Sequence, residues 1–282
     1  MKHFLIYTNR LKDKDLSTTK RICDYLEIKG QRVTVKADGD CRLGNTDEIP
    51  ADIPLDVDCM IVLGGDGTVL RAARETKKLH IPIIGVNLGT LGYMTEIEPI
   101  NLEESLDRLI GGDYEQENRM MLNGRVLFAD GRSEEGWALN DIVISRSGSL
   151  QIIKFNIYVN GQFLNNYSAD GMIVTTPTGS TGYNMSAGGP IVEPGAKLFV
   201  LTPICAHTLN ARSIILKSED IVEIEIDSGH NGTMLQVEAN SDGNERISMK
   251  TGDKIFISKA DSTTKIIKLS KESFLEILHK KM

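Results

Sequence analysis

Cysteine is sparse: Cys23, Cys41, Cys59 and Cys205 stand far apart in a chain of 282 residues. No paired spacing suggests a metal site, and a disulfide framework would be denser, so the four read as reduced thiols of a cytoplasmic protein. Long apolar runs are missing too. No stretch approaches the roughly 18 to 20 residues of a membrane-spanning helix. The apolar start at Met1 to Tyr7 turns polar at Thr8, so neither a span nor a signal peptide is expected. Basic charge is in deficit. A net charge of −7 argues against nucleic acid or an anionic membrane as the main partner, although one basic pocket could hide inside an acidic envelope.

What is present first draws the eye at Cys59 to Leu70, where the apolar run Met60 to Leu63 stops in Gly64-Gly65-Asp66-Gly67-Thr68. The run is too short for a free-standing helix and reads as a buried strand, followed by a glycine turn and, from Thr68 onward, a helix. Such a turn aims backbone N–H groups above the sheet, which suits phosphate. The spacing matches neither Gly-x-x-x-x-Gly-Lys-Ser/Thr nor Gly-x-Gly-x-x-Gly. Asp66 is out of place beside phosphate unless a metal bridges the two or the acid takes a proton from a hydroxyl nucleophile. A glycine-rich strand exit with a solvated aspartate is the plain alternative.

Around this turn the chain reads as two domains. Phe4 to Tyr7, Val33 to Val35, Met60 to Leu63 and Ile81 to Val86 are predicted strands of an open parallel α/β sheet. Leu16 to Lys29 and Asn101 to Leu109 are predicted helices, the second capped by Asn101. Residues 38–57 read as a loop. The strand at Ile81 leads into a second glycine-rich loop, Asn87 to Gly92, and ligands collect at such carboxyl ends. After Gly111 the rhythm changes to short strands at Met120 to Ala129, Trp137 to Ser145, Ile152 to Val159 and Met172 to Thr176. Asn123-Gly124, Asp130-Gly131 and Asn160-Gly161 supply hairpin signals between them. Lys271 to Lys281 reads as an amphipathic helix with Phe274, Leu275 and Leu278 on one face, returning to the first domain. The expected fold class is therefore α/β plus all-β, with a domain at 1–112 completed by 260–282, and a β-rich domain at 113–259.

Three stretches of the β-rich half carry chemistry. Asn140-Asp141 precedes a strand and can hold ribose hydroxyls, or simply start the strand. Asp170 to Pro190 runs a strand into hydroxyls and glycines, then Tyr183, which can stack on a base or bond a phosphate. Thr202 to Leu209 carries His207 at a strand's end. Ser241-Asp242-Gly243-Asn244 reads first as an ordinary β-turn.

Taken in order and spacing, Leu63 to Thr68, Asn87 to Gly92, Asn140-Asp141, Asp170-Gly171, Thr176 to Tyr183 and Thr202 to Leu209 resemble the motifs of the bacterial NAD kinases over nearly the whole chain. The resemblance implies an N-terminal Rossmann-like α/β domain, a C-terminal β-sandwich domain, and transfer of the γ-phosphoryl of ATP to the 2′-hydroxyl of NAD's adenosine ribose. It also implies Mg2+ or another divalent metal, polyphosphate as a donor for some members, and a homotetramer or homodimer sharing its sites between subunits. Carried over, Asp66 looks like the general base, with Gly65, Gly67 and Thr68 at the phosphoryl-transfer centre and Arg71 a further NAD- or ATP-binding residue. Asn140 and Asp141 resemble the holders of the NAD ribose. Tyr93, Thr178, Thr181, Gly182, Tyr183 and Ser186 resemble the adenine and phosphate surroundings. Asp170 resembles a nicotinamide contact across the subunit boundary, and Cys205 and His207 are further nucleotide contacts. Gly182, Ala206 and Ser168 depart from the residues common in the family, which are alanine, proline and a basic residue. A lipid kinase sharing the Gly-Gly-Asp-Gly-Thr turn and a non-catalytic NAD(P)-binding sensor are the other readings; Asn140-Asp141 and the Thr176 to Tyr183 loop argue against the first, Asp66 against the second.

Overall fold

The computed structural model describes residues 1–37, 53–89, 92–148, 152–207 and 211–281. Cys41, most of the predicted loop at 38–57, Thr90, Leu91, Thr208 and Leu209 lie outside the described residues. Two compact units emerge, Met1–Arg119 with Thr264–Met282, and Met120–Thr263.

The first unit is an open α/β sheet. Strands β1 (His3–Thr8), β2 (Arg32–Ala37), β3 (Cys59–Gly64), β4 (Ile83–Asn87) and β5 (Thr95–Ile97) all pair in parallel, in the order β2-β1-β3-β4-β5. Every residue of β1, β3 and β4 is buried, which is why these runs are continuously apolar rather than alternating. The helices are α1 (Ser17–Ile28), α2 (Asp66–Glu75) and α3 (Leu102–Gly111). Helix α3 buries Leu102, Leu106 and Leu109, one stripe at helical spacing. Asn101 does stand at its N-cap, but the side chain makes no capping bond. Asp13, by contrast, accepts the N–H groups of Thr18 and Thr19 and so caps α1.

Strand β6 (Glu115–Leu127) begins in the first unit and continues into the second, where it forms a hairpin with β7 (Ser133–Ala138) around Asp130-Gly131, followed by β8 (Asp141–Arg146), β9 (Ile153–Val159), β10 (Gln162–Ala169) and β11 (Gly171–Thr175). A short helix α4 (Tyr183–Ser186) precedes β12 (Leu198–Ile204), β13 (Ile214–Lys217), β14 (Val222–Ile226), β15 (Gln236–Ser241), β16 (Glu245–Lys250) and β17 (Lys254–Lys268). One antiparallel sheet runs β13-β12-β11-β8-β15-β16, and a second antiparallel run is β10-β9-β14-β17. Leu122, Ile144, Phe155, Phe199, Ile224 and Val237 from both sheets share one core, which makes this unit a β-sandwich.

Three local expectations are corrected. Asn123-Gly124 is no turn: it lies within β6 opposite Trp137 and Gly136, where Ile142 packs so closely that a Cβ at Gly124 would meet its Cδ1 at 2.8 Å. Trp137 to Ser145 is two strands, interrupted at Leu139-Asn140, whose N–H groups bond a side chain instead of a ladder partner. Helix α2 begins at Asp66 rather than Thr68, with extended Gly65 as its N-cap.

From Thr264 the chain belongs to the first unit. Ile266 pairs with Ile83 of β4, and Ile267 and Leu269 join the core of Phe4, Ile61, Leu63 and Leu106. Glu96, with a side chain only 5% exposed, pairs with Lys268 at 2.6 Å and accepts the N–H groups of Leu269 and Ser270. The terminal helix α5 (Phe274–Lys281) follows. Its Phe274 ring stands 6.4 Å from that of Tyr93, and Lys281 Nζ lies 4.0 Å above the Tyr93 ring. Leu275, expected on the covered face, is 70% exposed; Phe274, Ile277, Leu278 and Lys281 are the less exposed residues.

Candidate functional site

In the first unit, two glycine-rich turns leave adjacent parallel strands at one level. Gly64 of β3 pairs with Asn87 of β4, and the Leu88 N–H donates to the Gly64 carbonyl at 2.8 Å. Bare backbone is needed here: a Cβ on Gly64 would stand 2.3 Å from Thr68 Oγ1. Asp66 opens α2, where a negative charge is favoured by the helix dipole. Its carboxylate accepts the Tyr93 N–H at 2.8 Å and the Met94 N–H at 3.0 Å, so the second turn fixes the acid of the first. Gly92 makes this possible, since a Cβ there would lie 2.0 Å from Asp66 Oδ1.

Around the acid, Thr68 is buried and its hydroxyl accepts from Asn9 Nδ2 at 3.1 Å. Gly67 is exposed, and a Cβ on it would meet no atom within 4 Å. Lys12 Nζ lies 2.9 Å from the Cβ position of Gly65 and 3.4 Å from that of Gly89, which sets an ammonium over both turns. Arg71 lies farther along α2. Burial, helped by the charge of Asp66, raises the Tyr93 phenol above its ordinary range.

In the second unit, a dense hydrogen-bonded cluster forms where β7 passes into β8. Asp242, in the β15–β16 hairpin, accepts the N–H groups of Leu139, Asn140 and Asp141 at 2.8, 2.8 and 3.2 Å. From another direction, Thr176 Oγ1 donates to the Leu139 carbonyl at 2.6 Å, and the Thr175 hydroxyl and Thr176 N–H both donate to the Asn140 carbonyl. Gly179 packs against the same carbonyl, where a Cβ would come within 2.4 Å of it. Asn140 Oδ1 is buried without a hydrogen-bond partner. Asp141 is 6% exposed, and its carboxyl is pushed up to about 7, first by burial and then by the charge of Asp242.

The loop beyond Thr176 is anchored from beneath. Buried Asn184 accepts from the Thr202 hydroxyl at 2.7 Å and donates to the carbonyls of Ser180 and Pro190. Thr178 is buried, Thr181 and Gly182 are half-buried, and Tyr183, 47% exposed, and Ser186 face outward. Asp170, Cys205 and His207 gather elsewhere. The Asp170 N–H donates to Ile204 and the His207 N–H to Ser168, which sets the start of β11 beside the end of β12. Asp170 is ion-paired with Arg146 at 2.8 Å. Since β11 separates Asp170 from Thr176, at about 3.3 Å per residue the two groups stand roughly 20 Å apart.

Sequence reasoning missed Gly92, Lys12 and Asn9 as site residues and took Asp242 for an ordinary turn. Only Gly92 carried a signal, as the last glycine of a second glycine-rich loop at a strand's carboxyl end.

Parallel strands ending in glycine turns that hold one carboxylate, followed by a β-sandwich bearing a Thr-Pro-Thr-Gly-Ser-Thr loop, coincide with the two halves of a kinase family. Residues 4–114 match the ATP-NAD kinase N-terminal domain model and residues 139–269 the ATP-NAD kinase C-terminal domain model. An NAD kinase of Agathobacter rectalis is 47% identical over 282 residues, covering 100% of this chain and 99% of that one. One of Lachnospira eligens is 44% identical over 294 residues, covering both chains in full. A crystal structure of yeast NADH kinase complexed with NADH shares the fold, with a TM-score of 0.86 at 23% identity over 99% of this chain and 87% of that one. An NAD kinase from Archaeoglobus fulgidus in complex with ATP has a TM-score of 0.75 at 26% identity, with 99% of each chain covered. The chain belongs to the NAD kinase family, phosphotransferases that act on an alcohol group.

Proposed function

We propose that this protein transfers the γ-phosphoryl of ATP to the 2′-hydroxyl of the adenosine ribose of NAD, with Asp66 as general base. The observation that carries the reading is the Asp66 carboxylate, aimed by two backbone N–H groups at the exit of β3. Each carboxylate oxygen has two acceptor directions, so one on each remains for a hydroxyl. In the reaction O2′ attacks Pγ, its proton passes to Asp66, and the bond from Pγ to the β–γ bridging oxygen breaks to release ADP. Positioning supplies most of the catalysis in such transfers.

Gly65, Gly67 and Thr68 surround the phosphoryl group in this reading, with Arg71 a further NAD- or ATP-binding residue, while Asn140 and Asp141 hold the ribose. The buried, unpartnered Asn140 Oδ1 supports that role, because such an atom gains by accepting from a ligand. Tyr93, Thr178, Thr181, Gly182, Tyr183 and Ser186 border adenine and phosphates, with Cys205 and His207 as further nucleotide contacts. Among the described residues no group of three His, Cys, Asp or Glu side chains could hold a metal. Mg2+ would arrive with ATP, held mainly by phosphate and water, and would supply neutralisation of the phosphate charge beside Asp66. The distance from Asp170 to the Thr176 loop supports its acting on the NAD of a neighbouring subunit in a homotetramer built from dimers.

The test is NADP formation from ATP, Mg2+ and NAD. Asp66→Asn is expected to keep NAD affinity and lose about 10²- to 10⁴-fold in kcat, the usual worth of a general base. A variant with unchanged kcat would exclude Asp66 as the base.

A further inference from the structure

We infer that Asp242 is the positioning residue that holds Asn140 and Asp141 in the geometry NAD binding requires, an inference that rests on the NAD-binding reading of those two residues. The hairpin containing Asp242 has no part in the proposed reaction, yet its carboxylate does unusual work. Three consecutive N–H groups converge on it, with Oδ2 accepting from Leu139 and Oδ1 from Asn140 and Asp141. The contact is reciprocal, since the Asp242 N–H donates to the Asp141 carbonyl at 3.0 Å.

A charged carboxylate suits three donors, and each such bond is stronger than a neutral one. Asparagine would keep one oxygen but turn an NH2 toward one of the N–H groups, a donor facing a donor. The site also restricts its own occupant: Asp242 has φ 49 and Gly243 φ 71, left-handed conformations that aspartate, asparagine and glycine tolerate best. Asparagine is therefore the substitution that preserves the turn while breaking the clamp. With Thr175 and Thr176 binding the carbonyls of Leu139 and Asn140, the turn is gripped on both its donors and its acceptors. Its backbone groups are thereby occupied, and Asn140 Oδ1 is left for a ligand.

The test compares Asp242→Asn with the unaltered protein by calorimetric NAD binding and by steady-state kinetics. The expected result is a rise of tenfold or more in the Kd and KM for NAD, with the KM for ATP within twofold. Wild-type NAD affinity in Asp242→Asn, whatever its melting temperature, overturns the inference and leaves Asp242 a hairpin residue. Should that variant not fold, amide hydrogen exchange on the unaltered protein decides: slow exchange at residues 139–141 without NAD supports the clamp, and fast exchange overturns it. An unaltered protein that binds NAD without making NADP removes the kinase reading alone, and one that binds no NAD removes both.

Discussion

Substituting Gly92 with alanine perturbs the candidate base without touching it chemically. The new Cβ would lie 2.0 Å from Asp66 Oδ1 and 2.7 Å from both Asp66 Cγ and Thr95 Oγ1. The clash falls directly on the carboxylate. Asp66 has to turn away from the Tyr93 and Met94 N–H groups. A hydrogen bond to a charged group contributes about 1.5–3 kcal/mol, and because Asp66 is half-buried water recovers part of it. The stability loss is then about 1–3 kcal/mol. The kinetic loss is larger, since a misplacement of about 1 Å at a reacting group costs on the order of 10²-fold. Steady-state NADP formation at saturating ATP and NAD should show that fall in kcat, with NAD affinity within threefold. Gly111→Ala in α3, where a Cβ meets nothing, is the control and should keep full activity. A Gly92→Ala enzyme with kcat within twofold of the unaltered protein refutes the argument that this glycine shapes the base.

Two further substitutions test buried charge. The Asp141 carboxyl stands near 7 in the folded protein against an ordinary 3.8, so the folded state keeps a proton that the unfolded chain releases. Its contribution is fully present below about pH 4 and is lost as the pH rises toward 7, to a total of a few kcal/mol. Asp141→Asn should therefore match the unaltered protein at pH 4 and be the more stable at pH 8 in denaturant titrations; an equal difference at both pH values contradicts the assignment. Glu96→Gln leaves Lys268 buried without its counter-charge, which costs about 3–5 kcal/mol. The melting temperature should drop clearly, and an unchanged one shows that water reaches the lysine.

Much of the fold was legible because the two units speak in different periodicities: unbroken apolar runs for the buried parallel strands, short alternating ones for the sandwich. Asn123-Gly124 misled because the dipeptide favours hairpins, whereas here the glycine yields space to Ile142, a long-range demand no local pattern records. Asp66 was visible as an acid among glycines. Gly92 was visible only as part of a glycine-rich loop and Asp242 only as a turn residue, because what each does depends on a partner roughly 26 or 100 residues away in sequence, a distance that only pairing of the strands removes. Likewise Leu275 looked covered from its apolarity, but the helix turns Ile277 inward instead.

The strand that closes the first unit is also the last to be made. Ile267 and Leu269 complete a core that otherwise comes from residues before 115, and Lys268 answers Glu96. On the ribosome, at roughly 5–20 residues per second, the intervening segment takes on the order of ten seconds to synthesise. For that interval the first sheet is exposed to the cell with one core strand missing and an acid lacking its base. The sandwich, whose core comes from Leu122 to Ile257, can finish folding before it. The order of synthesis is thus inverted in the order of completion: the unit that begins first is the one finished last.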